Sequence, residues 1–148
     1  MRWILGTALI AASFFSSQAL AQECAATVEA DDQIQYLQRE ITVDSSCESF
    51  SLTLKHVGTL AANIMGHNWV VTKTADYQAL AMAGAAAGAP GYLPEGDARV
   101  LAATKMIGGG EETTISFDPS MLEVGGDYTY VCTFPGHFAQ MFGKLIVQ

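Results

Sequence analysis

The chain has 148 residues, of which half are hydrophobic and 15% are charged. This composition is typical of a folded globular protein and excludes a largely disordered chain. Fifteen acidic residues stand against seven basic ones, giving a net charge of −8. That balance argues against nucleic acid as a partner and offers no polybasic patch to a membrane surface.

The N-terminal segment has the features of an export signal. Met1 and Arg2 form a short positive start, residues 3–15 are mostly apolar, and Ala19-Leu20-Ala21 is a small-x-small cleavage site. We therefore predict a signal peptide over residues 1–21 and a single mature domain over residues 22–148. The apolar run is too short to span a bilayer, and no later segment resembles a transmembrane helix.

Three cysteines in an exported chain indicate one disulfide and one remaining thiol. Cys24 and Cys47 lie close together in the sequence, whereas Cys132 is distant and has a histidine and a methionine nearby. We pair Cys24 with Cys47, which an oxidising compartment favours. The alternative is that Cys132 pairs with one of them and leaves the third cysteine free.

Short runs of alternating residues, separated by turn residues, cover most of the mature chain. Phe50, Leu52 and Leu54 alternate with polar residues, as in a half-buried strand. Such runs predict an all-β fold, an eight-stranded antiparallel β-sandwich. The predicted strands are residues 25–30, 36–43, 49–55, 68–72, 100–107, 113–117, 127–133 and 144–147.

Residues 74–88 interrupt the strand pattern with an alanine-rich run. Thr74 and Asp76 are candidate N-terminal caps, and the sequence Gly-Ala-Pro-Gly from Gly88 is a stop signal. We predict one short helix lying outside the sheets. The three glycines of residues 108–110 predict a turn between two strands.

Two inward-facing residues have structural explanations. His56 extends the inward face of the strand that carries Phe50, Leu52 and Leu54, and such a histidine is more often a hydrogen-bonded core residue than a ligand. Trp69 is interpreted as an aromatic core residue.

The segment from Cys132 to Met141 holds the strongest chemical signal. Cys132, His137 and Met141 provide a thiolate, an imidazole and a thioether around a Pro135-Gly136 turn. Two histidines, one cysteine and a weak axial methionine are the ligands of blue-copper electron-transfer centres. His67 is the candidate second histidine.

Neighbouring residues complete the predicted centre. The carbonyl of Gly66 is a candidate weak contact opposite Met141. Asn68 and the backbone N–H of Phe134 are candidates to hydrogen-bond the thiolate or to order its loop.

Two other functions remain as alternatives. An enzyme with Cys132 as nucleophile and His137 as base lacks an evident orienting residue and leaves His67 and Met141 without roles. A zinc-binding module would use the cysteine and the histidines, but a thioether suits copper better than zinc.

These motifs resemble the cupredoxin family, and within it the azurins, which are bacterial blue-copper proteins. The similarity covers residues 23–148 and rests on Met65-Gly66-His67-Asn68-Trp69, on Cys132-Thr-Phe-Pro-Gly-His137 and on Met141. It implies a Greek-key sandwich with an external helix, a Cys24–Cys47 disulfide and a buried His56. It also implies one copper per chain, bound by His67, Cys132 and His137 with weak axial contacts from Met141 and the Gly66 carbonyl.

The same resemblance implies a periplasmic, monomeric carrier of single electrons and not an enzyme. Its expected partners are redox proteins such as c-type cytochromes, reductases or dehydrogenases, with electrons passing at the edge of His137. His56 is expected to couple its protonation to the potential of the metal.

Gln140 and Phe138 depart from the azurin pattern beside the expected docking patch, where Gln140 replaces an apolar residue. That patch comprises Ile34, Leu60, Ile64, Met65, Phe134, Pro135 and Ala139.

Overall fold

The computed structural model describes residues 23–148, so the predicted signal peptide at residues 1–21 lies outside it. The described chain forms nine strands and two α-helices, with 3-10 turns at Thr74–Asp76, Pro119–Met121 and His137–Ala139. The helices are α1 (Ala62–Met65) and α2 (Tyr77–Ala87). The strands are β1 (Ala25–Asp31), β2 (Gln35–Tyr36), β3 (Glu40–Val43), β4 (Phe50–His56), β5 (Val70–Lys73), β6 (Ala102–Ala103), β7 (Glu112–Phe117), β8 (Tyr128–Val131) and β9 (Phe142–Val147).

Two sheets form the sandwich, which confirms the predicted architecture. One sheet has the order β2-β1-β4-β7 and the other has the order β3-β9-β8-β5-β6. Each contains one parallel pair, β1 with β4 and β3 with β9, so both sheets are mixed and not wholly antiparallel. Alternation along a strand reports which face is buried but not the direction of its neighbour.

The predicted strand at residues 36–43 is two strands. β2 pairs with β1 in the first sheet, whereas β3 pairs with β9 in the second. The chain crosses between the sheets at residues 37–39, and this break brings the strand count to nine where eight were predicted.

The core lies between the sheets and follows the alternation in the sequence. Phe50, Leu52, Leu54 and His56 of β4 are buried, while the residues between them are less so. Trp69 is fully buried, as predicted. Burying a large apolar side chain contributes roughly 1.5–3 kcal/mol, so this alternation fixes which face of each strand points inward.

The predicted strand at residues 100–107 is mostly irregular. Only Ala102–Ala103 pairs with β5, and an isolated bridge joins Ile107 to His67. Between them the Thr104 hydroxyl accepts a hydrogen bond from the Trp69 N–H at 2.9 Å. A side chain therefore replaces a backbone partner and interrupts the ladder next to His67.

The predicted helix at residues 74–88 is confirmed as a 3-10 turn followed by α2. It ends at Gly88, whose φ of +81° favours glycine. Helix α1 was not predicted, because four residues carry too little periodicity. It contacts the glycine turn closely: a Cβ at Gly108 would lie 2.6 Å from the backbone nitrogen of Ala62.

The Cys24–Cys47 disulfide is confirmed, with the two Cα atoms 5.8 Å apart. Cys132 is a buried free thiol, so the alternative pairing is excluded. Within residues 23–148, no helix combines the length and the apolar character that crossing a membrane requires.

Candidate metal centre

Strand pairing brings together ligands that are distant in the sequence. β5 and β8 are antiparallel neighbours in which Val70 lies opposite Val131. His67 precedes β5 and Cys132 directly follows β8, so both reach the same end of the sheet. The Pro135-Gly136 turn then folds the chain back, and Gly136 adopts a φ of +82°, which places His137 beside Cys132.

The three side chains point their donor atoms at one another. The Cys132 Sγ lies 3.9 Å from the Nδ1 of His67 and 3.6 Å from the Nδ1 of His137. All three ligand atoms lie within 4.8 Å of one another, and all three residues are buried. Ligands that share one metal at about 2.0–2.3 Å in a trigonal plane are about 3.5–4 Å apart, so the residues fit a metal ion.

The ring of His67 is held in one tautomer. Its Nε2–H donates to the backbone carbonyl of Asp31 at 2.8 Å, which leaves Nδ1 unprotonated and directed at the site. Burial lowers the pKa of His67 and of His137 to about 4. Both imidazoles are therefore neutral at pH 7 and available to a metal. The contact with Asp31 depends on long-range folding, and sequence reasoning missed it.

The thiol of Cys132 is protonated when no metal is bound. Burial raises its pKa to about 12, against the smaller lowering effect of the backbone N–H groups of Asn68 and Phe134. Both N–H groups are oriented to stabilise a thiolate. A cation that replaces the thiol proton would remove the electrostatic cost of the buried charge.

Gly66 and Met141 lie next to the donor residues through backbone contacts. The Gly66 carbonyl oxygen lies 3.9 Å from the Cys132 Sγ. A Cβ at Gly66 would lie 2.3 Å from the carbonyl oxygen of Ala62, so only glycine fits. Met141 is fully buried, and its backbone accepts a hydrogen bond from the Cys132 N–H at 3.1 Å.

The side chain of Asn68 joins the two ligand segments. Its Oδ1 accepts from the N–H of Thr133 at 2.9 Å, and its Nδ2 donates to the Thr133 hydroxyl at 2.8 Å. The Thr133 hydroxyl in turn donates to the carbonyl of Tyr92. Thr133 was not predicted as a site residue, because only the folded chain places it beside Asn68.

His56 lies behind the site and forms no part of the donor set. Its ring stacks on His67 at a centroid distance of 4.4 Å. Its Nε2 bonds to the Met65 carbonyl at 2.9 Å and lies 3.8 Å from the Asp32 carboxylate, while its Nδ1 accepts from the Gly58 N–H at 3.1 Å.

The residues of the expected docking patch differ in exposure. His137 is only 4% exposed, so little of its edge reaches the surface, and its ring packs on Phe134 at 4.5 Å. Ile64 is 60% exposed and Leu60 is 38% exposed. Of the other patch residues, Pro135 and Ala139 are exposed, as is Gln140, whereas Ile34, Met65, Phe134 and the neighbouring Phe138 are intermediate.

Comparisons with known proteins agree on one family. Residues 22–148 match the model of copper-binding proteins of the plastocyanin/azurin family. The azurin of Bordetella pertussis is 51% identical over 141 residues, which cover 95% of this chain and 93% of that protein. Azurin-1 of Alcaligenes xylosoxydans xylosoxydans is 52% identical over 124 residues, which cover 83% of this chain and 96% of that protein. The solved azurin Az-iso2 of Methylomonas sp. strain J superposes with a TM-score of 0.81 at 42% identity, covering 86% of this chain and 99% of that one.

Proposed function

The chain belongs to the copper-binding plastocyanin/azurin family, and we propose that it carries single electrons between redox proteins through one bound copper ion. Bound copper would supply the one-electron couple Cu(II)/Cu(I). The observation that carries the proposal is the convergence of Cys132 Sγ with two imidazole Nδ1 atoms in a buried site. This donor set matches copper by its chemistry.

His67, Cys132 and His137 would hold the ion, and Met141 and the Gly66 carbonyl would be weaker contacts. Each residue comes from a strand end or a tight turn held by hydrogen bonds, so the donors are positioned before the ion binds. A rigid donor set favours rapid electron transfer because little rearrangement accompanies a change of charge. The N–H groups of Asn68 and Phe134 would stabilise the thiolate in both states.

We further propose that electrons enter and leave at the edge of His137, inside the apolar patch defined above. Exposed Ile64 and Leu60 would contribute contact area, and the neighbouring Gln140 would make the patch more polar. A small apolar surface suits short-lived complexes with c-type cytochromes, reductases or dehydrogenases. The predicted signal peptide supports a periplasmic location, where the protein, as a monomer, would meet such partners after export.

The environment of Cys132 weighs against a thiol enzyme. Catalytic cysteines have lowered pKa values and partial exposure, whereas burial raises the pKa of this fully buried thiol to about 12. A zinc module accounts for the cysteine and histidines but gives no role to a buried thioether. The carrier proposal gives every member of the donor set a role.

Copper titration tests the proposal directly. We expect stoichiometric Cu(II) binding to the mature protein to produce an intense blue absorption from the thiolate-to-copper transition, which ascorbate bleaches and reoxidation restores. Cys132→Ser should abolish the band, whereas Cys24→Ser with Cys47→Ser should retain it. If Cu(II) added to the folded mature protein produces no such band, the proposal fails.

A further inference from the structure

Arg39 contacts the backbone carbonyls of the two residues on either side of Met141. Its Nη1 donates to the carbonyl oxygen of Gln140 at 2.8 Å and approaches that of Phe142 at 3.4 Å. Arg39 lies in the crossing between β2 and β3, about one hundred residues earlier in the chain. One guanidinium therefore joins the sheet crossing to the end of the loop that carries His137 and Met141.

The direction of the backbone explains why the Phe142 carbonyl is available. The Met141 carbonyl accepts from the Cys132 N–H on the β8 side. Adjacent carbonyls in an extended strand point in opposite directions, so the carbonyl of Phe142, the first residue of β9, faces away from β8, toward β3. Gln140 precedes the strand, at the end of the 3-10 turn His137–Ala139. The register of β3 with β9 begins only at Lys144, opposite Glu40, so the Arg39 side chain bonds these carbonyls beyond the end of the ladder.

The backbone of Arg39 is itself anchored. Its carbonyl accepts from the Lys144 N–H at 2.8 Å, and the preceding Gln38 carbonyl accepts from the Tyr130 hydroxyl at 2.6 Å. Tyr130 is fully buried, so the crossing is attached to the sandwich core. Hydrogen bonds from a charged donor are stronger than neutral ones, although exposure of Arg39 reduces their effect.

We propose that Arg39 is a positioning residue for Met141, holding the carbonyls of Gln140 and Phe142 so that the thioether is directed to the proposed metal site. The proposal rests on the proposed function, because Met141 would there be a weak contact of the copper ion. A weak axial ligand tunes the potential of such a centre, so a small displacement of its backbone alters the electronic properties of the metal. In the metal-free protein the same contacts limit local opening of the loop.

Three variants separate hydrogen bonding from charge. Arg39→Met removes the donors and the charge, whereas Arg39→Lys retains the charge but not the planar guanidinium. Lys73→Gln is the matched control: it removes one exposed positive charge at the far end of β5, about 20 Å along the chain from His67.

Amide hydrogen exchange of Met141 and Cys132 in the metal-free protein is the primary measurement. Both amides donate within the loop, to His137 and Met141 respectively. We expect exchange about tenfold faster in Arg39→Met, about threefold faster in Arg39→Lys and within about twofold of the parent in Lys73→Gln. In the copper-loaded protein, the thiolate-to-copper absorption should shift in Arg39→Met and stay unchanged in Lys73→Gln.

Exchange in Arg39→Met within about twofold of the parent would overturn the proposal, as would an equal effect of Lys73→Gln. Because exchange is measured without metal, this failure is distinct from failure of the parent protein to form a blue copper complex. Thermal unfolding of each variant checks that the exposed substitutions leave the sandwich folded.

Discussion

Cys132 exchanges a proton for a metal ion under the proposed function. At pH 7 its thiol, with a pKa of about 12, is protonated, whereas His67 and His137, with pKa values of about 4, are neutral. We expect Cu(II) binding to release about one proton per copper, and the affinity to rise about tenfold per pH unit above pH 5. Calorimetry in buffers of different ionisation enthalpy would count the protons. A release of zero or of three protons would contradict the assigned protonation states.

Both ring nitrogens of neutral His56 form hydrogen bonds: Nδ1 accepts from the Gly58 N–H, and Nε2–H donates to the Met65 carbonyl. Adding a proton to Nδ1 must break the bond from Gly58 and places a positive charge against the ring of His67, with Asp32 the nearby counter-charge. The family resemblance makes His56 a candidate to couple its protonation to the metal, and an added positive charge there would favour Cu(I), so we expect the reduction potential to depend on pH.

Voltammetry at a series of pH values around neutrality, with His56→Gln as the comparison, tests this coupling. The slope should disappear in the variant. A parent potential that does not change near neutrality, or a slope that persists in His56→Gln, would show that another group carries the effect.

The glycine turn at residues 108–110 positions helix α1. A Cβ at Gly108 would lie 2.6 Å from the Ala62 nitrogen, a contact with backbone that cannot move independently of α1. We expect Gly108→Ala to lower the free energy of unfolding by about 1–3 kcal/mol and to displace α1, which carries Ile64 and leads into His67. Chemical denaturation measures the loss.

Gly91→Ala is the matched control for that substitution. A Cβ there meets no atom within 4 Å, so the change should be neutral or slightly stabilising. Equal stability of the two variants would indicate that α1 adjusts freely to the turn and is not positioned by it.

The buried imidazoles link the stability of the whole molecule to pH. Their folded pKa values of about 4 lie below the unfolded value of 6.5, so the unfolded chain binds more protons between those limits. The contribution of the two neutral imidazoles to the free energy of unfolding of the metal-free protein should therefore be complete above pH 6.5. The free energy of unfolding should fall on acidification, by at least about 2 kcal/mol at pH 4.

Thermal melts at a series of pH values, with and without copper, would measure this effect. Bound copper should raise the melting temperature, since it binds only the folded site, and should extend the stable range to lower pH. A flat profile between pH 6.5 and 4 in the metal-free protein would contradict the protonation states given to His67 and His137.

The sequence alone determined the features that depend on local order. The Cys132–His137 spacing around a Pro-Gly turn indicated the metal site, the proximity of Cys24 to Cys47 indicated the disulfide, and alternation indicated the sandwich core. The donor set of a blue-copper centre requires a second histidine, which made His67 a candidate, and the family resemblance implied the same ligand. These features follow from neighbouring residues or from a recurring motif, so no knowledge of strand order was needed.

Only the tertiary structure decided the features that require distant segments to meet. Residues 37–39 cross between sheets, which divides a predicted strand in two, and β3 and β9 run parallel. The carbonyl of Asp31 orients His67, and Arg39 bonds the carbonyls around Met141. Strand pairing creates each of these contacts, and burial against the opposite sheet sets the pKa values of the donors. Sequence periodicity carries information on which face is buried but none on which strand lies beside another.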